Sequence, residues 1–289
     1  MLKEYAKLMR IHHYIKNVLV FVALGCSGQL FCVHKLMTAI WGFITFCMVS
    51  SIVYIVNDIK DLEKDRIHPM KSNRPIASGK ISLQRAWGLA IILFFASILC
   101  NSLIFSCISS LLLILYLILN LAYSFGLKDK PLIDIIILTA GFLIRMVYGA
   151  TITEIEISNW LYLTVIALAF YFSLGKRRNE LEYVYIGGGG ETRKVLKYYP
   201  VEFLDKNMYM CLSLANTFYS LWCMDSNTSL HYGINLIFTV PIVLLITMRY
   251  SMDVEGDSDG DPVEVLLHDR ILLVLCLLYF LTIFVVLYF

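Results

Sequence analysis

The chain has 289 residues, of which 59% are apolar and only 16% are charged. A soluble domain carries charge on about a quarter of its residues, so this composition excludes an ordinary soluble protein and indicates a lipid bilayer as solvent. The formal net charge of +2 gives no reason to expect a nucleic-acid partner. The eight cysteines lie in or beside apolar segments without a CxxC pair, which favours packing over disulfides or a zinc site.

Nine apolar stretches predict membrane-spanning helices, because a bilayer core needs about 20 apolar residues per helix. Lipid offers no partner for an unpaired backbone group, so each stretch is expected to be helical. We therefore predict an all-α integral membrane protein that forms a single polytopic domain over residues 1–289. In chain order, the predicted spans are 15–32, 36–56, 86–104, 106–125, 132–152, 159–175, 207–225, 232–250 and 270–289.

Lysine and arginine alternate between the two sides of these spans. All but two of the 24 lie before or at the first span, or after the second, fourth, sixth and eighth spans. Because cytoplasmic loops are enriched in these residues, we predict a cell membrane protein with a cytoplasmic N-terminus and an external C-terminus. The cytoplasmic loops, at about 57–85, 126–131, 176–206 and 251–269, are long and polar and should form the functional site.

The second span runs directly into the sequence Asn57-Asp58-Ile-Lys-Asp61-Leu-Glu-Lys-Asp65. On one continuous helix, spacings of three and four residues put Asn57 and the three aspartates on a single face. Crowded aspartates repel one another, and Mg²⁺, which prefers oxygen ligands, would relieve that repulsion. Because Mg²⁺ takes one or two carboxylates and completes its shell with water and substrate phosphate, the cluster predicts half of a magnesium–diphosphate site.

Basic side chains follow the aspartates at once, in a segment that Pro69, Pro75 and Gly79 shape into a loop. Acids for a metal beside bases for phosphate suit a phosphorylated, Mg²⁺-bound substrate. The alternative is a solvated, charged helix end whose bases only mark the cytoplasmic side. The bases are Arg66, His68, Lys71 and Arg74.

Further polar sets occur at the ends of later spans. Tyr123 and Lys128 follow the fourth span, and the run Lys-Arg-Arg-Asn-Glu at 176–180 follows the sixth. The acidic loop 253–264 fails as an EF-hand, because Leu266 stands where the last ligand should be a glutamate. A solvated loop is the simpler interpretation, and a contribution to the metal site is the alternative.

Two polar features lie inside or beside predicted spans. Arg145 is near the middle of the fifth span, where facing lipid would cost about 3 kcal/mol, so it should face a cavity or an acid; a structural ion pair is the alternative. Lys16 and Asn17 open the first span. Snorkelling of its charge to the interface would explain Lys16 alone, but the adjacent Asn17 favours a role in the site. Four glycines at 187–190 predict a hinge, with a short interfacial helix or lid over 191–205.

The motif Asn57-Asp58-x-x-Asp61-x-x-x-Asp65 resembles the first aspartate-rich motif of the UbiA-type prenyltransferase superfamily. Tyr123-Ser124-x-x-Leu127-Lys128 after the fourth span is another mark of that superfamily. The resemblance covers essentially the whole chain. It implies nine helices around a central cavity that opens to the cytoplasmic side and to lipid.

A narrower branch, the decaprenyl-phosphate phosphoribosyltransferases, is more similar still. Ordinary prenyltransferases carry a second aspartate-rich motif after the sixth span, whereas this chain has the basic run 176–180, which would suit an extra phosphate. The residues that carry this resemblance are Arg10 with Lys16-Asn17, Asp65-Arg66-x-His68-Pro69-x-Lys71-x-x-Arg74-Pro75, Gly141-x-x-x-Arg145-x-x-x-Gly149, Lys176-Arg177-x-x-Glu180, Asp261-Pro-x-Glu264 and Asp269-Arg270.

This branch implies Mg²⁺-dependent transfer of 5-phosphoribose from 5-phosphoribosyl 1-diphosphate to a polyprenyl phosphate, with release of diphosphate. The lipid acceptor is already an anion, so no strong general base is required. One alternative is a prenyltransferase that moves a polyprenyl group from its diphosphate to an aromatic or other acceptor. A membrane transporter is a remote alternative, because the clearest acidic cluster lies at the interface and not in mid-span.

The predicted catalytic residues and Mg²⁺ ligands are Asp58, Asp61 and Asp65. The expected partners are the polyprenyl phosphate, the phosphoribosyl diphosphate and membrane lipid, with no nucleic acid; lipid chain length and oligomeric state stay open. The predicted substrate-binding residues are Lys16, Asn17, Asn57, Arg66, Lys71, Arg74, Tyr123, Lys128, Arg145, Lys176, Arg177 and Glu180.

Overall fold

The computed structural model describes residues 1–67, 71–104, 106–185, 194–226, 228, 234–256, 258 and 260–288, and these residues form helices and turns without a strand. The α-helices are α1 (Leu2–Met9), α2 (Val22–Gly25), α3 (Val33–Lys60), α4 (Leu62–Ile67), α5 (Leu83–Ser102), α6 (Cys107–Ser124), α7 (Ile133–Thr153), α8 (Asn159–Tyr185), α9 (Val201–Met224), α10 (Val240–Glu255), α11 (Pro262–His268) and α12 (Arg270–Tyr288). Short 3₁₀ helices cover Ile11–Phe21, Lys71–Asn73, Leu127–Asp129, Lys194–Tyr198 and Ile234–Thr239.

Six helical segments among the described residues are long and apolar enough to cross a membrane, namely α3, α5, α6, α7, Leu236–Glu255 and α12. The predicted all-α, multi-pass membrane architecture is therefore confirmed. Three more helical segments lie where the sequence predicted spans: Ile11–Gly25, α8 and α9. The segment Ile11–Gly25 is short, and α8 and α9 extend beyond their apolar parts into the charged runs at 176–182 and 202–206.

The helices form two compact units, the first built from α1 to α7 and the second from α8 to α12. The core of the first unit joins the segment Ile11–Phe21 to α3, α6 and α7. Gly149 lets α7 approach that segment closely, because a Cβ at this position would lie 1.9 Å from the carbonyl oxygen of Val20. The buried side chains of this core are Val20, Phe46, Val49, Val53, Leu113, Tyr116, Ile144, Tyr148 and Ile152.

A second cluster in the first unit anchors the connection between α4 and α5. Ile76 and Ile81 from this connection are buried against α1, α3 and α5. Backbone hydrogen bonds close the connection on itself, from Ser78 N to Arg74 O and from Ile81 N to Pro75 O. Because the connection is anchored at these buried residues, Arg74 at its start has a defined place.

The predicted continuous helix over the aspartates is interrupted at Asp61. The first helix ends at Lys60, Asp61 has φ −87° and ψ 9°, and a new helix starts at Leu62. The hydrogen bonds from Asp61 N to Asn57 O and from Asp65 N to Asp61 O, at 2.9 and 2.8 Å, continue through the break. The chain therefore bends without losing its helical ladder, and Asp65 is carried on α4.

The second unit is built around α8 and α9. Trp160 of α8 stacks on Phe218 of α9, with ring centroids 6.3 Å apart. Inside this unit the hydroxyl groups of Tyr219 and Thr239 lie 2.6 Å apart and are both buried. The prediction of a single polytopic domain concerns how the chain folds as a whole and stays a prediction.

Candidate functional site

Asp58 and Asp65 share one arginine. Nη1 of Arg74 donates to Asp58 Oδ1 at 3.1 Å and to Asp65 Oδ2 at 2.6 Å. The two aspartate side chains are only 3% and 5% exposed. Since a single nitrogen contacts both carboxylates, the fold has made neighbours of these two acids, as the sequence predicted.

A second arginine reaches the same carboxylate. Nη2 of Arg10 donates to Asp58 Oδ1 at 2.7 Å, and the Arg10 guanidinium carbon lies 4.8 Å from the centre of the Tyr54 ring. Arg10 ends α1 in the left-handed region, at φ 53°. Arg10 is absent from the predicted set of site residues. It was among the residues that carry the resemblance to the narrower branch, and this was the signal that could have included it.

Asp61 turns to a different partner. Nζ of Lys128 donates to both Asp61 oxygens, at 3.1 and 3.0 Å. Lys128 belongs to the 3₁₀ turn Leu127–Asp129 after α6. The sequence likewise placed it directly after the fourth predicted span. The three aspartates therefore divide between two cationic partners, Arg74 and Lys128, and their sharing of one face stays a prediction.

The end of α6 is fixed to the end of α3. Ser124 Oγ donates to Asn57 Oδ1 at 3.1 Å, and the Lys60 ammonium contacts the Ser124 carbonyl. The Lys60 nitrogen also lies 4.1 Å from the centre of the Phe125 ring. Tyr123 sits beside Ser124 and is half-buried. These contacts hold Lys128 within reach of Asp61.

Burial and charge oppose each other at Asp65. Burial raises the pKa of this carboxyl above its ordinary range, and the neighbouring guanidinium of Arg74 acts in the opposite direction. Buried carboxylates are costly unless a cation or hydrogen bonds compensate them. The site is therefore built to keep positive charge at Asp58 and Asp65.

The donor set at this position fits Mg²⁺. In the part of the chain that the structure describes, no three His, Cys, Asp or Glu side chains are close enough together to hold a metal ion. Mg²⁺ needs only one or two carboxylates when substrate phosphate and water supply the rest. Asp58 and Asp65 offer two adjacent carboxylates of this kind, with Asp61 one helical turn from each.

The other predicted bases of the first loop lie further out. Arg66 pairs with Glu63 at 3.1 Å, and both side chains are largely exposed. Lys71 is exposed, and its charge lowers the pKa of Asp65. His68 and Pro69 lie outside the described residues. The structure thus brings Arg74 to the aspartates and leaves Arg66 directed elsewhere.

Asn17 and Arg145 meet in the interior of the first unit. Nε of Arg145 donates to Asn17 Oδ1 at 2.7 Å, and its other nitrogens donate to the carbonyl of Gly141 and the hydroxyl of Tyr116. These hydrogen-bond partners are neutral groups, whereas the sequence suggested an acid or a cavity. Lys16 precedes Asn17 and is half-buried.

The basic run at the end of α8 is paired with acids inside the second unit. Nη1 of Arg177 donates to Glu180 Oε2 at 2.6 Å, and Nζ of Lys176 lies 3.5 Å from Asp261 Oδ2. The Arg177 side chain is fully buried. Asn179 donates to the carbonyl of Val254 at 2.8 Å and so ties α8 to α10. Both predicted phosphate ligands therefore already have a carboxylate partner.

Several predictions fall on residues outside the described ranges. They concern the hinge at 187–190, the first part of the predicted lid at 191–193, and Asp257 and Asp259 of the acidic loop. The described part of the predicted lid is a 3₁₀ helix, Lys194–Tyr198, followed by the first turn of α9.

Comparison with known proteins places these features in a family. Residues 18–176 match the UbiA prenyltransferase family. The chain is 31% identical to the decaprenyl-phosphate phosphoribosyltransferase of Mycolicibacterium smegmatis, over 98% of this chain and 92% of that protein. It is 32% identical to the protein of the same name from Corynebacterium glutamicum, over 94% and 82%.

Solved structures show the same fold. A UbiA homolog from Archaeoglobus fulgidus bound to GPP and Mg²⁺ aligns with 98% of this chain and 99% of its own, with a TM-score of 0.71. The two sequences are 19% identical, so this similarity concerns the fold.

Proposed function

This chain belongs to the UbiA prenyltransferase family, and we propose that this membrane-bound transferase moves 5-phosphoribose from 5-phosphoribosyl 1-diphosphate to a polyprenyl phosphate. The reaction depends on Mg²⁺ and releases diphosphate. The observation that carries the proposal is the buried pair Asp58 and Asp65, joined by Arg74 and flanked by Arg10. Two relatives named for this transfer, at 31% and 32% identity, support the choice of substrates.

The proposal includes nine membrane spans around a central cavity that opens to the cytoplasm and to lipid. The six apolar helical segments are joined by Ile11–Gly25, α8 and α9. The placement of Lys and Arg supports a cytoplasmic N-terminus and an external C-terminus. In this orientation the aspartates lie at the cytoplasmic face, where a water-soluble sugar diphosphate arrives.

Asp58, Asp65 and Asp61 would hold Mg²⁺, and Asn57 would orient these ligands. When bound, Mg²⁺ neutralises the charge that develops on the departing diphosphate. Arg74 lies against both carboxylates and Arg10 against that of Asp58, and both arginines would donate hydrogen bonds to the diphosphate oxygens. Lys128, Lys71 and Arg66 add positive charge around them.

The bond changes balance without a base. An oxygen of the polyprenyl phosphate forms a bond to C1 of the ribose while the bond from C1 to the diphosphate oxygen breaks, and the diphosphate keeps the electron pair. The acceptor oxygen is already anionic, so no proton has to be removed. The chain's cations would hold two anionic substrates side by side and offset their repulsion.

Lys176 and Arg177 are proposed to bind a further phosphate, either that of the sugar or that of the lipid. Their present partners, Asp261 and Glu180, would keep the cations oriented in the absence of phosphate. Tyr123 and Lys16 stay proposed substrate contacts. The roles of Asn17 and Arg145 are treated below.

A second candidate is prenyl transfer from a polyprenyl diphosphate to another acceptor. It is favoured by the fold similarity to a UbiA homolog whose structure was determined with GPP and Mg²⁺. A diphosphate leaves in both reactions, so the aspartates alone do not separate them. The separating feature is which substrate carries the diphosphate.

The test is an assay of purified protein in detergent with phosphoribosyl diphosphate labelled in the ribose and with a polyprenyl phosphate, with and without Mg²⁺. We expect a labelled lipid that forms only with Mg²⁺. A parallel reaction contains a labelled polyprenyl diphosphate and aromatic acceptors. Prenylated product in that reaction, with no labelled lipid in the first, would favour the second candidate.

A further inference from the structure

The segment that carries Arg10 into the site has an uncommon backbone. Residues Ile11–Phe21 form a 3₁₀ helix of 11 residues. Runs of 3₁₀ helix longer than 3–4 residues are uncommon, because their hydrogen-bond geometry is poorer than that of an α-helix. Contacts from other parts of the fold must therefore stabilise this segment in its stretched form.

A ladder of polar contacts ties the segment to one face of α3. Asn17 Nδ2 donates to Ser50 Oγ at 3.2 Å. Three residues earlier in the segment, the hydroxyl of Tyr14 lies 2.8 Å from the hydroxyl of Ser51. The last contact of the ladder is the pair of Arg10 with Asp58. As residue numbers fall along the segment they rise along α3, so the two elements run antiparallel.

The stretched form sets the length of this ladder. From Asn17 to Arg10 the segment advances seven residues, which is about 14 Å as a 3₁₀ helix and about 10 Å as an α-helix. On α3, the two partners of Asn17 are Cys47 and Ser50, and their midpoint lies about 14 Å along the axis from Asp58. The Ser51 hydroxyl donates to the Met9 carbonyl at 3.2 Å, so the backbone before Arg10 lies level with Ser51 and the Arg10 side chain covers the rest of the way to Asp58. An α-helical segment would be about 4 Å shorter and would draw this backbone away from Ser51.

Arg145 holds the far end of this ladder. Its side chain is buried, and its Nε bond to Asn17 at 2.7 Å joins α7 to the segment. The rings of Phe46 and Tyr116 lie 5.1 and 4.9 Å from the guanidinium carbon. A charge inside a membrane span costs about 3 kcal/mol if it faces lipid, so a buried, multiply bonded arginine is typical of a site with a role.

Arg145 lies too deep to touch a diphosphate at Asp58. Phe46, which packs on Arg145, precedes Asp58 by 12 residues on α3, or about 18 Å along the helix axis. An extended arginine side chain covers less than half of that distance. Any influence of Arg145 on the aspartates must therefore pass through the residues between them.

We propose that Arg145 is a positioning residue that acts through Asn17 to hold Ile11–Phe21 stretched and thereby sets Arg10 against Asp58. This inference rests on the proposed function, because it takes Asp58 as part of the diphosphate site. Loss of the Arg145–Asn17 bond lets the segment relax toward the shorter helix and withdraws Arg10. The expected effect is a higher KM for phosphoribosyl diphosphate.

A double-mutant cycle tests this link in kcat/KM, with Arg145→Lys and Arg10→Gln as the single variants. Lysine keeps the charge but loses the Nε bond, so a role based on charge alone would survive the substitution. We expect each single variant to lose about tenfold, mainly in KM, and the double variant to lose no more than the larger single effect. Losses that multiply would show that Arg145 acts independently of Arg10 and would overturn the proposal.

Hydrogen exchange gives a readout that needs no turnover. In the purified full-length chain, Arg145→Lys and Asn17→Ala should both speed exchange of the amides of residues 11–17, and leave those of α12 unchanged. The matched control is Arg85→Lys, at an exposed arginine that starts α5, which should alter neither exchange nor kinetics. Asn17→Ala breaks the same bond from the other side and serves if Arg145→Lys does not fold.

The activity and hydrogen-exchange measurements together separate the positioning role of Arg145 from the proposed function. If the wild-type protein makes no phosphoribosyl lipid, the proposed function fails, and hydrogen exchange still decides whether Arg145 holds the segment. If the wild-type protein is active but exchange in 11–17 is unchanged in both variants, the positioning role is wrong and the proposed function stands.

Discussion

The aspartate cluster at the end of α3 and the basic run at the end of α8 each contain a buried charged group, and these two groups find their partners at different distances along the chain. Asp58 is bound by Arg10 and Arg74, which are 48 and 16 positions away. Arg177 is bound by Glu180, three positions away on the same helix. The first arrangement requires the tertiary fold, whereas the second follows largely from the helix itself.

This difference predicts unequal consequences of mutation. Breaking a buried ion pair from one side leaves an uncompensated charge and costs about 3–5 kcal/mol. An exposed pair at i,i+3 or i,i+4 on a helix contributes only about 0.2–0.5 kcal/mol. The Arg177 side chain is fully buried, so its pair with Glu180 does not belong to this exposed class. The fold therefore depends on the paired charges at Asp58 and Arg177, and much less on the partly exposed Lys176.

The largest effect is expected for Asp58→Asn. This change removes a proposed Mg²⁺ ligand and leaves Arg10 without its carboxylate, while Arg74 keeps Asp65, so turnover should fall by about a thousandfold or more. The amide fits the same space, so the protein should still elute as a folded species in detergent. The measurement is transfer activity beside size-exclusion chromatography. Glu63→Gln, an exposed acid two residues from Asp61, is the control and should stay within about twofold of wild type.

The next effect concerns Arg74, which in this structure occupies the carboxylate oxygens that a divalent cation would use. Arg74→Gln should bind Mn²⁺, used as a paramagnetic probe for Mg²⁺, more tightly in the absence of substrate, because a competing cation is gone. The same variant should bind phosphoribosyl diphosphate more weakly. Electron paramagnetic resonance of free Mn²⁺ measures the first quantity. Weaker Mn²⁺ binding would mean that Arg74 organises the aspartates and does not compete with the metal.

A smaller effect is expected for Lys128→Ala. The Lys128 side chain is 21% exposed and Asp61 is 19% exposed, so water can partly replace the lost ammonium. We expect kcat/KM to fall by about tenfold while the unfolding temperature changes little. Steady-state kinetics with a parallel thermal melt would measure both. An unchanged kcat/KM would remove Lys128 from the proposed phosphate-binding set.

The smallest effect is expected in the basic run. Lys176→Gln should raise the KM for one of the two substrates by about threefold to tenfold and leave kcat near wild type, because only binding charge is lost. Arg178→Gln is the matched control, since Arg178 is engaged by Glu182 and Asp205 and is not a predicted site residue. If Lys176→Gln and Arg178→Gln have the same kinetics, Lys176 has no specific role in substrate binding.

The membrane helices could be predicted from sequence because length and hydropathy are local properties. The predicted spans 86–104, 106–125 and 132–152 correspond to α5, α6 and α7 within a few residues. The aspartates were identified for the same reason, since their spacing on one chain segment is visible without the fold. The match to the UbiA family confirms the family that this motif suggested, and the role of the aspartates stays a prediction.

What could not be predicted depends on contacts between distant residues. Asp61 stands at the break between α3 and α4, and its carboxylate pairs with Lys128, 67 positions along the chain. The predicted helix 15–32 is replaced by a 3₁₀ helix from Ile11 to Phe21, tied by Asn17 to Arg145, which is 128 positions away. No helical periodicity encodes those distances, so Arg10 could not be placed at Asp58 from spacing alone.

The most direct test of the account follows both halves of the sugar substrate at once. Phosphoribosyl diphosphate labelled with ¹⁴C in the ribose and with ³²P in the diphosphate is incubated with a polyprenyl phosphate, Mg²⁺ and either wild type or Asp58→Asn. We predict that wild type places ¹⁴C in the lipid phase and an equal amount of ³²P in soluble diphosphate, and that Asp58→Asn does neither. Wild-type-like transfer by the Asp58→Asn variant would contradict the assignment of the aspartates to the departing diphosphate.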